Sequence, residues 1–172
     1  MPEIAFAVRG FLTVRHSPLR IPVRGSLAIQ AEPGPGAFAG RLALDQSTVT
    51  RHVLGTSILA VVQITAESEV VGQVDREGRL FAAVAVGAVI DSLQVAGRTA
   101  ISGGRCRTAQ QAVVPLWSRP GFDLARGGRL TGRYCRPPFT GGGWITPLIN
   151  LVAAGPGNAV AIDLIPTQRG AA

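Results

Sequence analysis

Two histidines, two cysteines and ten carboxylates are the side chains from which acid–base, nucleophilic or metal chemistry could be built in this chain. Such chemistry needs the titratable group held beside a partner. His16 precedes Ser17-Pro18 at an expected turn, and His52 follows Arg51 near a strand end. Neither has an acidic neighbour at a metal-site or catalytic spacing, so both read as exposed loop residues. Gly55-Thr56-Ser57-Ile58-Leu59 lacks the final glycine of a nucleophile elbow. Gly34-Pro35-Gly36 lacks the third glycine and the strand–helix setting of a dinucleotide fold, and no Gly-Lys-Ser/Thr follows Gly141-Gly142-Gly143. Glu67 and Glu69 fall two apart on the wet side of one strand, where solvation explains both. The expectation is no catalytic residue, no cofactor and no metal. An unrecognised hydrolase, with His16 or His52 meeting a carboxylate in one cleft, is the enzymatic alternative.

Cys106 and Cys135 lack the C-x-x-C spacing of zinc and redox sites. Only one intramolecular pairing is open to them. A bridge would close a loop of about thirty residues, worth about 3–4 kcal/mol in the chain-entropy picture. The alternative is two buried free thiols in a reducing compartment.

All seventeen basic residues are arginine, giving a net charge of +7. With the heavy use of Ala, Gly and Val, this pattern follows from a GC-rich coding bias. It therefore weakens the usual step from high pI to nucleic acid. Aromatics, at 5%, are too sparse and scattered to stack bases, so no nucleic-acid partner is expected. The charge is uneven. Arg105, Arg107, Arg119, Arg126, Arg129, Arg133 and Arg136 are opposed locally only by Asp123, whereas Glu67, Glu69, Asp75, Glu77 and Asp91 make the middle of the chain acidic. Cross-strand pairing of the two regions is the simple expectation, at a few tenths of a kcal/mol per pair. A basic patch for anionic lipid or glycan is the sharper one.

The elements that must carry these groups alternate with period two, the signature of strands. Leu19, Ile21, Val23, Leu27 and Ile29 share one face against Arg20, Arg24, Ser26 and Gln30. Ile4, Phe6 and Val8 do the same, with a short second piece, Phe11 to Arg15, carrying Leu12 and Val14. Ala60, Val62, Ile64, Ala66, Val70 and Val74 line a further face, and Val160, Ile162 and Leu164 a last one. Asp75-Arg76-Glu77-Gly78 reads as a hairpin turn, and Glu32-Pro33-Gly34-Pro35-Gly36 as a loop. Thr146 to Gly157 instead has helix grammar: Thr146 as N-cap, Pro147 in the first turn, a Gly155-Pro156 stop. Leu148, Leu151 and Val152 are expected to dock it on the sheet.

Leu80 to Ile90 is apolar on both faces, too short for a spanning helix of about twenty residues. Its second face, Phe81, Ala83, Ala85, Gly87 and Val89, is mostly small. Either the helix or a second sheet packs there, or Ala83, Ala85 and Gly87 border an apolar ligand space. The chain, 47% hydrophobic and 172 residues long, is expected to be one all-β domain over residues 1–172. The architecture expected is an antiparallel β-sandwich or curved half-barrel with one short helix near 147–154.

From about residue 40 the phrases Gly127-Gly128-Arg129-Leu130-Thr131-Gly132-Arg133-Tyr134, Pro137-Pro138-Phe139-Thr140-Gly141, Thr146-Pro147-Leu148-Ile149-Asn150 and Gly155-Pro156-Gly157-Asn158 follow in order. This chain resembles, in those phrases and in Leu42 to Asp45 and Cys106 to Ala109, uncharacterised secreted β-rich proteins of actinobacteria. The resemblance implies export to the cell envelope or beyond, and with it a Cys106–Cys135 disulfide. In those relatives the later cysteine sits in the glycine loop after Pro-Pro-Phe, where this chain has Gly141 to Gly143. Met1-Pro2-Glu3 runs straight into alternating sequence with no signal peptide, so an exported protein would be in mature form. The resemblance brings no activity. The expected function is a non-enzymatic envelope or secreted β domain acting in binding or structural assembly, with self-association or an anionic envelope lipid or glycan as its partner. A lipid or glycolipid carrier with an apolar cavity is the alternative.

Overall fold

The structure, a computed structural model, describes residues 2–167 apart from positions 16, 18 and 33. Along the chain run β1 (Glu3–Thr13), β2 (Arg20–Gln30), β3 (Gly36–Leu44), β4 (Ser47–Val53), β5 (Thr56–Ala66), β6 (Val70–Val74) and β7 (Leu80–Val95). Then come β8 (Arg98–Ile101), β9 (Cys106–Thr108), β10 (Ala112–Ser118), β11 (Gly128–Arg136) and β12 (Phe139–Thr140). A single 3-10 turn (Gly143–Ile145), α1 (Thr146–Ala153) and β13 (Gly155–Pro166) complete the described elements.

Every strand pairing is antiparallel, and eight strands close a ring in the order β10-β11-β13-β1-β2-β3-β6-β7. The seam is β7 against β10, from Phe81 opposite Trp117 to Val86 opposite Ala112. The all-β reading with one short helix therefore holds, and the sheet curls past a half-barrel to full closure. The sixteen-residue β7 makes this work. Its first half sits in the ring, while its second half leaves it and pairs with β5, β8 and β9. β5 and β6 lie end to end along β7, with Ala66 opposite Val86 and Val71 opposite Ala83, so the Glu67 to Glu69 turn is a kink in one long path. The Asp75–Gly78 hairpin forms as expected: Gly78 has φ of 70° and donates its N–H to the Asp75 carbonyl.

Closure depends on glycines that alternation alone passes over. β1 is one continuous strand rather than two pieces, because Phe6, Val8 and Leu12 keep one inward phase through Gly10. Gly25 on β2, Gly40 on β3 and Gly132 on β11 occupy the same inward phase. A Cβ on Gly10, Gly25 or Gly132 would lie 2.0 Å from the carbonyl oxygen of Ala161, Ala43 or Pro115 on the adjoining strand, and one on Gly40 2.6 Å from that of Ala28. Strands that coil this tightly need a residue without a side chain on the concave side. The interior is apolar, built around Phe6, Val8, Ile29, Leu80 and Leu130, while Arg9, Arg24, Gln30 and Arg133 point to solvent. A membrane barrel has the opposite arrangement, with a polar lumen and an apolar exterior.

The helix departs from expectation in its roll. Ile145, not Thr146, is the N-cap, following the 3-10 turn, and Pro147 is in the first turn as anticipated. The side packed inward carries Ile145, Ile149 and Ala153, whereas Leu148, Leu151 and Val152 face out. Two asparagines set this roll. Asn150 accepts the Phe139 N–H through Oδ1 at 2.6 Å and donates to the Phe139 carbonyl at 3.0 Å. Asn158, fully buried, donates to the carbonyls of Ala153 and Gly155 and accepts the Arg15 N–H. The helix is thus pinned to β12 and the start of β13, not to the small-residue face of β7.

Candidate ligand site in the barrel lumen

The site begins with the alternation of β11. Leu130, Gly132, Tyr134 and Arg136 are buried on its inner side, with Thr131, Arg133 and Cys135 exposed on the other. The register against β13 shifts between Tyr134 and Arg136, which stand opposite Asn158 and Gly155. That irregularity lies where the strand carries its last inward side chain, at the end of the barrel near α1. The result is an arginine only 6% exposed in an otherwise hydrophobic lumen.

Among the described residues, the guanidinium of Arg136 has one hydrogen-bond partner, the Tyr134 hydroxyl, to which Nη2 donates. It also lies 5.6 Å from the centre of the Tyr134 ring, within cation–π range. No carboxylate of the described residues reaches it; Asp75 and Glu77 pair with Arg79, Asp123 with Arg126, and Asp163 with Arg129. A cation so placed forfeits most of its hydration and gains no opposite charge in return. Beside it lies a cavity of about 60 Å³ whose walls include Leu12, Val23, Val86, Val114 and Ile162. A second void, of about 20 Å³, sits deeper among Phe38, Leu80 and Leu124. Side chains otherwise fill the barrel, as is usual for eight strands.

The ligand face expected at Ala83, Ala85 and Gly87 needs correction. On β7 the even-numbered residues point inward, with Val84 opposite Val114 and Val86 opposite Ala112 on β10. The cavity therefore lies on the other side of the strand. Gly87 touches its edge, but Ala83 and Ala85 belong to the outer face and line neither void. The Glu67 side chain covers Gly87 from outside, where a Cβ would meet Oε1 at 2.8 Å.

The expected disulfide is absent. Cys106 and Cys135 are both free, the first buried and the second exposed. The cause is again the phase of β11: with Tyr134 and Arg136 inside, Cys135 must point out, while Cys106 lies beneath Gly142. Burial raises the Cys106 thiol pKa, which slows its reaction further. Alkylation of the native protein without reductant is expected to label Cys135 alone, with Cys106 labelled after denaturation. Mass spectrometry checks this, and two protected thiols would contradict it.

His52 is exposed on β4 opposite Ser57, on a strand rather than a loop, and His16 lies outside the described residues. No group of three or more His, Cys, Asp or Glu suited to a metal occurs among the described residues. Among the described residues, Asp75 and Glu77 pair with Arg79 and Asp123 with Arg126, each within its own region and not across the two as expected, while Arg129–Asp163 links β11 to β13. That last pair lowers the Asp163 pKa, first through the Arg129 hydrogen bond. Arg136 belongs by sequence to the basic run between residues 105 and 136, yet its period-two phase with Leu130 and Tyr134 puts it inside. No protein family, curated protein or solved structure matches this chain.

Proposed function

We propose that this protein is a non-enzymatic binding barrel that holds a small amphipathic anion, its carboxylate on Arg136 and Tyr134 and its apolar end in the lumen. The observation that carries the reading is the buried guanidinium without a carboxylate partner among the described residues, set against a hydrophobic cavity. A ligand carboxylate supplies the missing charge through paired N–H donors, an arrangement that suits arginine better than lysine. The cavity favours a short chain: it is smaller than the roughly 150 Å³ void that admits benzene, so a long acyl chain requires the lumen to repack. This keeps the carrier idea but narrows the cargo. A secreted or envelope location remains part of the proposal, supported by the glycine-, proline- and asparagine-rich phrases of the second half and not by a disulfide.

Titration calorimetry with a straight-chain series from acetate to octanoate tests it. Binding is expected to strengthen over the first few carbons and then to stop improving. Arg136→Gln is expected to weaken it by about 10–100-fold, the worth of a charge-assisted hydrogen bond. Because the site takes the anion and not the neutral acid, affinity should fall about tenfold per pH unit below the ligand's own pKa, in the usual carboxylic range. Equal affinity for the carboxylate and the matching alcohol, or for wild type and Arg136→Gln, would overturn the reading.

A further inference from the structure

The outward side of the helical segment is apolar, and nothing among the described residues covers it. Trp144 is 78% exposed, Leu148 56% and Leu151 74%, with Val152 beside them. Their spacing over 144, 148, 151 and 152 makes one stripe of a helix. The opposite stripe, Ile145, Ile149 and Ala153, is the one packed on the barrel. A helix that is apolar on both sides would ordinarily be buried, yet the two asparagine anchors hold this one with one side outward.

The charges around the stripe indicate what covers it. Thr140 of β12 pairs with Arg107, and Gly141 lies against the backbone of Arg105, so both exposed arginines of the β9 region stand next to the turn that carries Trp144. At the far end of α1, the Arg15 guanidinium donates to the Ala154 carbonyl at 3.1 Å. From Leu124 to Ile162 the chain has no acidic residue. Two carboxylates stand behind this arginine rim: Asp91, which lies against Gly104 and is hydrogen-bonded by Gln46, and Glu67, which lines the same cleft as Arg107. A tryptophan and leucines projecting from a helical segment that itself carries no carboxylate, with arginines at both ends, match the chemistry of an anionic bilayer: acyl chains inside, phosphates at the rim.

We infer that the 143–153 segment docks on an anionic lipid surface, with Trp144, Leu148 and Leu151 entering the interface and Arg105 and Arg107 meeting lipid phosphates. This surface is separate from the lumen, so the inference stands or falls independently of the carboxylate site.

The test is partition of the full chain, without added carboxylate, onto vesicles of phosphatidylglycerol and phosphatidylcholine, and onto pure phosphatidylcholine. In a Trp117→Phe background Trp144 reports alone, and its emission should shift to the blue on anionic vesicles. Binding should be at least tenfold weaker to the zwitterionic vesicles and should decline with salt. Trp144→Ser with Leu151→Ser is expected to abolish it, and Arg105→Gln with Arg107→Gln to reduce it about tenfold or more, both variants keeping the wild-type far-ultraviolet spectrum. Absence of binding to either vesicle, or binding unchanged by the Trp144 and Leu151 substitutions, overturns the inference. So does a concentration-dependent dimer that Leu151→Ser dissociates, which would assign the stripe to a second copy of the chain.

Discussion

Replacing Gly132 with valine is expected to prevent the barrel from closing and to cost about 3 kcal/mol or more, measured as a fall in the urea midpoint or as failure to fold. Gly132 is on the inward side of β11, where a Cβ would sit 2.0 Å from the Pro115 carbonyl oxygen of β10. The obstacle is backbone, not the flexible end of a side chain. Relief requires β10 and β11 to separate next to the seam at which β10 pairs with β7. Gly10→Val and Gly25→Val should have similar effects, since each meets a neighbouring carbonyl at the same distance. Gly36→Ala is the control. It starts β3, has ordinary backbone geometry and open space around it, and should change stability by no more than about 0.5 kcal/mol. If Gly132→Val and Gly36→Ala prove equally mild, tight coiling at the inward glycines is not what shapes the sheet.

Arg136→Met is expected to do the reverse, stabilising the ligand-free protein by about 1–3 kcal/mol while removing carboxylate binding. Methionine retains much of the buried apolar stem and removes a charge that lacks a carboxylate partner among the described residues. Its flexible thioether can adapt to the adjoining cavity. The loss of the Tyr134 hydrogen bond offsets part of the gain, because that hydroxyl then needs another partner. For a domain of this size the net change corresponds to a rise in Tm of roughly 3–10 °C. Arg136→Glu should instead be destabilising, since it places an anion in the same apolar setting without a cation to receive it. A pronounced loss of stability in Arg136→Met would mean that the guanidinium serves the fold, and the binding proposal would lose its main support.

Much of the strand pattern was legible because burial on one face writes itself into every second residue. Ile21, Val23, Leu27 and Ile29 are buried in the structure as their spacing required, and so are Val160, Ile162 and Leu164. The hairpin at Asp75–Gly78 was legible for a local reason, a glycine at positive φ between two apolar runs. The helix lies where Pro147 and the Gly155-Pro156 stop put it, but with Ile145, Ile149 and Ala153 inward and Leu148, Leu151 and Val152 outward. Leu148 and Leu151 are more hydrophobic than their surroundings, yet the roll of α1 is set by the Asn150 amide on the Phe139 backbone of β12 and by Asn158 of β13, which donates to the Ala153 carbonyl at the end of the helix. Composition cannot weigh a polar anchor against an apolar stripe when the partner lies on another strand.

The sequence alone determined that this chain makes antiparallel strands with one short helix, since side-chain period and turn chemistry are local. Whether the sheet stays open or closes was a tertiary matter, decided by the approach of inward glycines to carbonyls on neighbouring strands and by the pairing of β7 with β10. Tertiary structure also sorted the arginines. The phase of β11 within a closed ring buried Arg136 beside Tyr134 and turned Cys135 to solvent, away from any bridge with Cys106. A residue's type shows what charge it brings; only closure of the barrel shows whether water or hydrocarbon surrounds that charge.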